Sequence, residues 1–235
     1  VSAAIMTGAG TIPMTDANGS GAAGQKGAGL KSEPMKILTA RLAHSADRVS
    51  VALNGNGLIY GVMADGSSGV VVDNVPMRGC SGTIFTSLYE ADMRAYFSHF
   101  NVGLIILEYG GNAMPYATTQ RKIDGYVREL ARQVAFFKRL SPSSRILFIG
   151  PFDMSKRIRG AYHSYPMLPE MAEAIKRMCM ENGIAFWDGY KAMGGHDTMV
   201  RWVRQGLGNK DYIHFTPQGA AKAAKMLYQD LMKAR

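Results

Sequence analysis

The stretch Gly103-Leu104-Ile105-Ile106-Leu107-Glu108-Tyr109-Gly110-Gly111-Asn112 decides how this chain folds. An apolar run of strand length ends on a carboxylate, and a glycine pair with an asparagine follows, as at the carboxyl end of a strand. Downstream, Ile123, Val127, Leu130, Val134 and Phe137 recur at helical spacing, so a helix is predicted from about Thr119 to Leu140, stopped by Ser141-Pro142. A strand from Arg145 to Gly150 comes next, then a long irregular loop through Pro151-Phe152-Asp153 and Tyr162 to Pro166. The helix Pro169 to Asn182 turns Met171, Ile175 and Met178 inward and ends at Gly183, and the strand Ile184 to Trp187 follows it. The final helix opens with Thr216 as N-cap and Pro217 at its first position. Strands that alternate with amphipathic helices predict an α/β domain built on a parallel sheet.

Upstream of Gly103 the same alternation begins with a short buried-type strand, Val70-Val71-Val72-Asp73, and a helix from about Ile84 to Phe100. The α/β domain is therefore expected over 68–235. Before it, Lys36 to Leu42 and Arg48 to Leu53 alternate polar with apolar residues, and Asn54-Gly55-Asn56-Gly57 is a hairpin signal leading into Leu58 to Val62. A small antiparallel β section is thus expected over 34–67. Residues 1–33 are rich in Gly, Ala, Ser and Thr, with almost no large apolar side chain between Met14 and Leu30, and read as a loop or linker.

Composition narrows the class. A chain of 235 residues with 47% hydrophobic content can bury a full core, and its apolar runs fall far short of the ~20 residues of a membrane span. The net charge of +9 is dispersed through the predicted helices, and no nucleic-acid recognition pattern accompanies it, so a nucleic-acid partner is not expected. Two cysteines, Cys80 and Cys179, are too few for a disulfide framework and too far apart for a metal motif.

Three loops carry residue types suited to acyl transfer. Arg78-Gly79-Cys80-Ser81-Gly82 offers a glycine N–H that can approach a substrate, and Gly110-Gly111-Asn112 offers a side-chain amide donor. Asp211-Tyr212-Ile213-His214 offers a carboxylate three residues before an imidazole, directly ahead of the capped helix. Asp211 and His214 are the candidate catalytic pair, and Gly82 and Asn112 the candidate oxyanion hole. Gly111, Tyr162, His163, Tyr165 and Trp202 are candidate substrate contacts, because loops and aromatic rings hold sugars; helix packing is the other reading of Trp202. His44 and His99 read as surface or capping residues, whereas His196 lies on a loop that could rim the site. Cys80 reads as a small packing residue.

These blocks resemble the SGNH (GDSL-like) hydrolase family over roughly residues 68 to 235. Gly82 matches the glycine of the second block, Gly110-Gly111-Asn112 the third, and Asp211 with His214 the Asp-x-x-His of the last. Ala113 stands where the family has an aspartate after the asparagine. The resemblance implies a three-layer, flavodoxin-like parallel sheet, a serine acyl-enzyme mechanism and no cofactor. The β section looks like the tail of the jelly-roll domain inserted in peptidoglycan O-acetylesterases and related polysaccharide deacetylases, with Tyr60-Gly61-Val62 and Val70 to Asn74 resembling the junction. That likeness implies an acylated carbohydrate substrate and export to a bacterial periplasm or cell surface.

The family's first block, Gly-Asp-Ser on the central strand, is not found in these residues. Ser20, Ser67, Ser68 and Ser81 each fail on position, and Thr7 in Ala3 to Gly8 is a remote substitute. A separate segment, such as an N-terminal piece of the same precursor, is expected to bring the nucleophile and fill the sheet, unless residues near Ala3 to Thr7 do so. Two alternatives stand beside the esterase: a catalytically silent glycan-binding pseudo-hydrolase, and an acyltransferase on the same fold.

Overall fold

A computed structural model describes residues 2–8, 10–16, 35–66 and 68–233. The chain divides into two compact units, Val1–Val75 and Pro76–Arg235.

In the first unit β1 (Ser2–Thr7) is the middle strand of a three-stranded antiparallel sheet, between β2 (Gly10–Pro13) and β5 (Ser50–Asn54). A two-stranded pair, β3 (Thr15–Asp16) with β4 (Leu38–Thr39), accompanies it. This corrects the linker expected at the start of the chain, of which residues 17–34 lie outside the described residues. Small side chains do not prevent strands when the backbone ladder is filled on both sides, and β1 has both ladders. The expected hairpin is corrected too. β5 pairs with β1, from Ser2 opposite Asn54 to Met6 opposite Ser50, while Leu58 to Val62 forms no strand. An Asn-Gly turn signal is local, and a long-range partner outweighed it. Val70 to Asp73 is likewise not a strand, and Val70 is 91% exposed. A valine run becomes a strand only against a neighbour that accepts its hydrogen bonds, and no described strand does.

In the second unit the parallel sheet has the order β10-β7-β6, formed by β6 (Leu104–Glu108), β7 (Arg145–Ile149) and β10 (Ala185–Trp187). Alternation along the strands gives the sheet two buried faces. Ile105, Leu107, Ile146 and Phe148 point into a core shared with α2 (Gln120–Leu140) and α3 (Leu168–Glu181). Leu147, Ile149 and Trp187 point the other way, against Met226 and Leu227 of α6 (Pro217–Lys233). Helices thus lie on both faces, giving the three-layer flavodoxin-like arrangement, with Leu104 and Ile106 of β6 left exposed on the α6 side. Ile123, Leu130, Val134 and Phe137 of α2 are each at most 3% exposed, and burial of side chains this size stabilises by about 1.5–3 kcal/mol apiece.

The helix expected from Ile84 is split into a 3₁₀ turn, Phe85–Ser87, and α1 (Glu90–His99). Two short helices, α4 (Gly189–Met193) and α5 (Thr198–Arg204), join β10 to the last loop. The loop expected to be irregular after β7 contains a hairpin, β8 (Ser155–Ile158) with β9 (Ala161–Ser164). No described helix is long and apolar enough to cross a membrane.

Candidate active site

Asp211 and His214 are held by a loop that leaves little freedom. Asp211 Oδ1 accepts from the Ile213 and His214 backbone N–H groups at 2.9 and 3.0 Å, which folds the loop around the carboxylate. Its other oxygen, Oδ2, lies 2.8 Å from His214 Nδ1. The pair fixes the ring so that Nδ1 faces the carboxylate and Nε2 faces away, and the His214 side chain is 72% exposed. Burial pushes the Asp211 carboxyl up, but the hydrogen bonds from the His214 backbone and ring and from Ile213 outweigh it and hold the group below its ordinary value. It therefore stays ionised beside the imidazole.

Both ends of the loop are anchored. Asn209 N–H donates to the His214 carbonyl at 2.8 Å, and the Asn209 side chain to the Phe215 carbonyl. Thr216 caps α6 by accepting from Gly219 N–H at 3.2 Å, and its hydroxyl donates to the Gly206 carbonyl at 2.7 Å. Gly219 is obligatory here, because a Cβ would run into the Leu207 carbonyl.

The two candidate oxyanion residues are tied to one another through Cys80. Asn112 Nδ2 donates to the Cys80 carbonyl at 2.9 Å, and Gly82 N–H contacts Cys80 Sγ at 3.3 Å. Gly82 has φ +81°, and a Cβ there would lie 2.5 Å from the Tyr109 ring, so a side chain is excluded on two counts. Tyr126, from α2, donates to the Ser81 carbonyl at 2.7 Å and pins the same loop. The Ser81 hydroxyl faces Thr83 at 3.5 Å. Cys80 itself is half-buried.

Gly111 links this pair of loops to the rest: a Cβ on it would sit 3.9 Å from Met154 Sδ, and the next residue, Ser155, donates from its N–H to the Tyr212 carbonyl at 2.8 Å. Tyr212 stands between Asp211 and His214, with φ +60°. The hairpin after β7 thus buttresses the Asp211–His214 loop, and Tyr162 of β9 stacks on Tyr212 with centroids 3.7 Å apart and planes 8° from parallel. His163 is 3.1 Å from Asp197 Oδ2, which also lies 3.4 Å from His196 Nδ1. Tyr165 lies under Lys156, whose Nζ is 5.2 Å from the ring centroid.

Trp202 is corrected from a candidate sugar platform to a core residue. It is 3% exposed and packs on Phe215, with Lys222 Nζ 5.0 Å from its ring. A seven-residue helix in front of a site loop has one apolar face, and the tryptophan fills it.

A buried network escaped the sequence. Asp153 is fully buried and accepts from the Ser164 hydroxyl at 2.5 Å and from Met199 N–H at 2.7 Å. Ser164 Oγ accepts in turn from Asp197 N–H at 2.7 Å, so β7, the hairpin and α5 meet on one carboxylate. Burial drives the Asp153 carboxyl above its ordinary value, only partly offset by these donors. Its signal, an acid inside Pro151-Phe152-Asp153-Met154, was visible but had no partner at helical or strand spacing. Among the described residues no cluster of His, Cys, Asp or Glu is suited to hold a metal ion.

The parallel sheet has helices on both faces, Asn112 follows its strand β6, Gly82 is tied to Asn112 through Cys80, and the Asp211–His214 pair lies on the loop between α5 and α6: the class is an α/β acylhydrolase scaffold. The model of the GDSL-like lipase/acylhydrolase family matches residues 39–222, and the chain belongs to that family. A solved peptidoglycan O-acetylesterase is similar at 26% identity and a TM-score of 0.52, over 66% of this chain and 44% of that one. This chain therefore spans less than half the length of that esterase. The periplasmic domain of a lipopolysaccharide acetyltransferase from Salmonella ser. Paratyphi A is similar at 15% identity, with a TM-score of 0.40 over 59% of this chain and 60% of that one. For an acetylxylan esterase from Geobacillus stearothermophilus the figures are 18% and 0.39, over 60% and 66%. No curated protein sequence matches.

Proposed function

We propose that this chain supplies the base, its orienting acid and the oxyanion hole of a carbohydrate O-acetylesterase that works through a serine acyl-enzyme. The observation that carries the proposal is the 2.8 Å contact of Asp211 Oδ2 with His214 Nδ1, on a loop anchored so that Nε2 is free to take a proton. His214 removes the proton from the serine hydroxyl as it attacks the acetyl carbonyl, then returns it to the departing sugar oxygen. Asp211 stabilises the imidazolium in between. Gly82 N–H, exchanging its long contact with Cys80 Sγ, and the second amide hydrogen of Asn112 Nδ2 donate to the oxyanion of the tetrahedral intermediate. Water then repeats the sequence on the acyl-serine and releases acetate. Resemblance to exported bacterial esterases makes a periplasmic or cell-surface setting part of this proposal.

The serine comes from a strand that pairs with β6. Among the described residues β7 pairs with one edge of β6 and no strand pairs with the other, and β6 exposes apolar Leu104 and Ile106 at 48% and 46%. An apolar strand with an open edge is a template for another strand. The residues near Ala3 to Thr7 are already engaged on both sides by β2 and β5, and the Thr7 hydroxyl donates to the Gly10 carbonyl at 3.4 Å. A separate segment carrying Gly-Asp-Ser, such as one from the same precursor, fits the open edge.

A second reading, a silent glycan-binding protein, draws on one observation: no described hydroxyl is hydrogen-bonded to His214. A fluorophosphonate probe on the full-length protein separates the two. The esterase predicts a single label on a serine outside residues 1–235 that disappears in His214→Ala. A label within 1–235 would refute the added strand, and no label on a protein that still binds acetylated glycan would favour the silent binder.

A further inference from the structure

We infer that the β8–β9 hairpin is a recognition arm for an anionic sugar, a glycan residue that carries a carboxylate, lying next to the ester that is cleaved. The inference rests on the esterase reading and names the substrate's charge. The hairpin reads Ser155-Lys156-Arg157-Ile158-Arg159-Gly160-Ala161-Tyr162-His163-Ser164, with three strong cations and no acid. Lys156, Arg157 and Arg159 are all exposed, and none forms an ion pair among the described residues. Arg157 Nε donates to the Gly160 carbonyl at 3.2 Å and Lys156 lies over the Tyr165 ring, but no carboxylate among the described residues offsets the three charges.

Arg159 and Gly160 form the two-residue turn, with φ +49° and +90°. Asn or Asp is the residue that such a position favours, and a long side chain there is strained. Of the four non-glycine residues with positive φ among the described residues, Asn101 and Asp197 are ordinary; Arg159 and Tyr212 are not, and they sit on the hairpin and on the loop it braces. Strain at both places marks them as chosen for their side chains. The arm is also stiff: Asp153, Ser164 and Asp197 lock its base, and Ser155 N–H and the Tyr162–Tyr212 stack clamp it to the catalytic loop.

Arg157 and Tyr162 are register partners on one face of the hairpin, and Tyr162 keeps 37% of its surface exposed. An aromatic ring beside a guanidinium is the pairing that an acidic sugar needs: the ring takes the apolar face of the pyranose, and the planar fork takes its carboxylate in a bidentate grip. Nucleic acid would also offer anions and flat rings, but the arm stands against an ester-cleaving pair.

Titration calorimetry on the full-length protein at 150 mM salt tests the assignment without requiring turnover, so it can fail while the esterase stands, and the reverse. Hexagalacturonate should bind at least ten-fold more tightly than maltohexaose, and the double variant Arg157→Gln/Arg159→Gln, checked for an unchanged melting temperature, should erase that preference. Tyr162→Ala should weaken both sugars. Equal binding of the two sugars, binding of neither, or full preference in the double variant would overturn the inference. So would a single-stranded oligothymidylate that binds as tightly as hexagalacturonate, which would mark a general polyanion surface.

Discussion

Asp211, His214, Gly82 and Asn112 form the candidate site, and each is constrained differently. Asn112 is held by one bond to Cys80 and offers a second amide hydrogen to an oxyanion, so Asn112→Ala should cost about 10²–10³ in kcat with little change in KM, measured by steady-state turnover on the full-length enzyme. Gly82→Ala meets the Tyr109 ring and a positive φ together, and should lower stability by about 1–3 kcal/mol in denaturant titration as well as activity. Asp153 gives the pH dependence. Its folded pKa is raised above the ordinary 3.8, so the folded state binds the extra proton, and stability from this group is lost as pH rises from about 4 through the raised value. Asp153→Asn should flatten that part of the stability profile, read as the difference between variant and wild type.

At the scale of elements, the sequence carried the parallel α/β unit well and the β unit poorly, for a physical reason. Ile123, Leu130, Val134 and Phe137 record a helix locally, because each residue's burial depends on neighbours three and four positions away, and Thr119 and Thr216 mark helix starts with their own hydroxyls. Strand pairing has no such local record. Ser50 to Asn54 could pair with Leu58 to Val62 or with Ser2 to Thr7 on equal patterns, and only the three-dimensional ladder selects the second. The β8–β9 hairpin was missed for a related reason: its turn is Arg159-Gly160, not the Asn-Gly that signals a tight turn. The Asp211 and His214 spacing was legible because three residues of loop suffice to bring acid and ring together. The exposure of Tyr162 and the burial of Trp202 were not, since two aromatics in similar company differ only in what packs on them. Trp202→Ala should cost about 3–5 kcal/mol by thermal or denaturant unfolding, as a core deletion does.

For the molecule as a whole, the unpaired edge of β6 and the exposed apolar side chains of β6 and α6 bear on the proposed assembly. Leu104 and Ile106 are exposed on β6, and α6 exposes Tyr228, Leu231 and Met232. Residues 1–235 alone should therefore bind the dye anilinonaphthalene sulfonate while still folded, and Ile106→Lys should reduce that signal at a stability change within about 0.5 kcal/mol. Addition of the strand-bearing segment should quench the dye and raise the melting temperature, since a ligand that binds only the folded state stabilises it. Under the proposed mechanism the same strand carries the serine that His214 activates. The most direct measurement is p-nitrophenyl acetate hydrolysis by the full-length protein, wild type against His214→Ala. A loss of about 10³-fold or more in kcat is the result predicted for a triad base, and equal rates in the two proteins would contradict it.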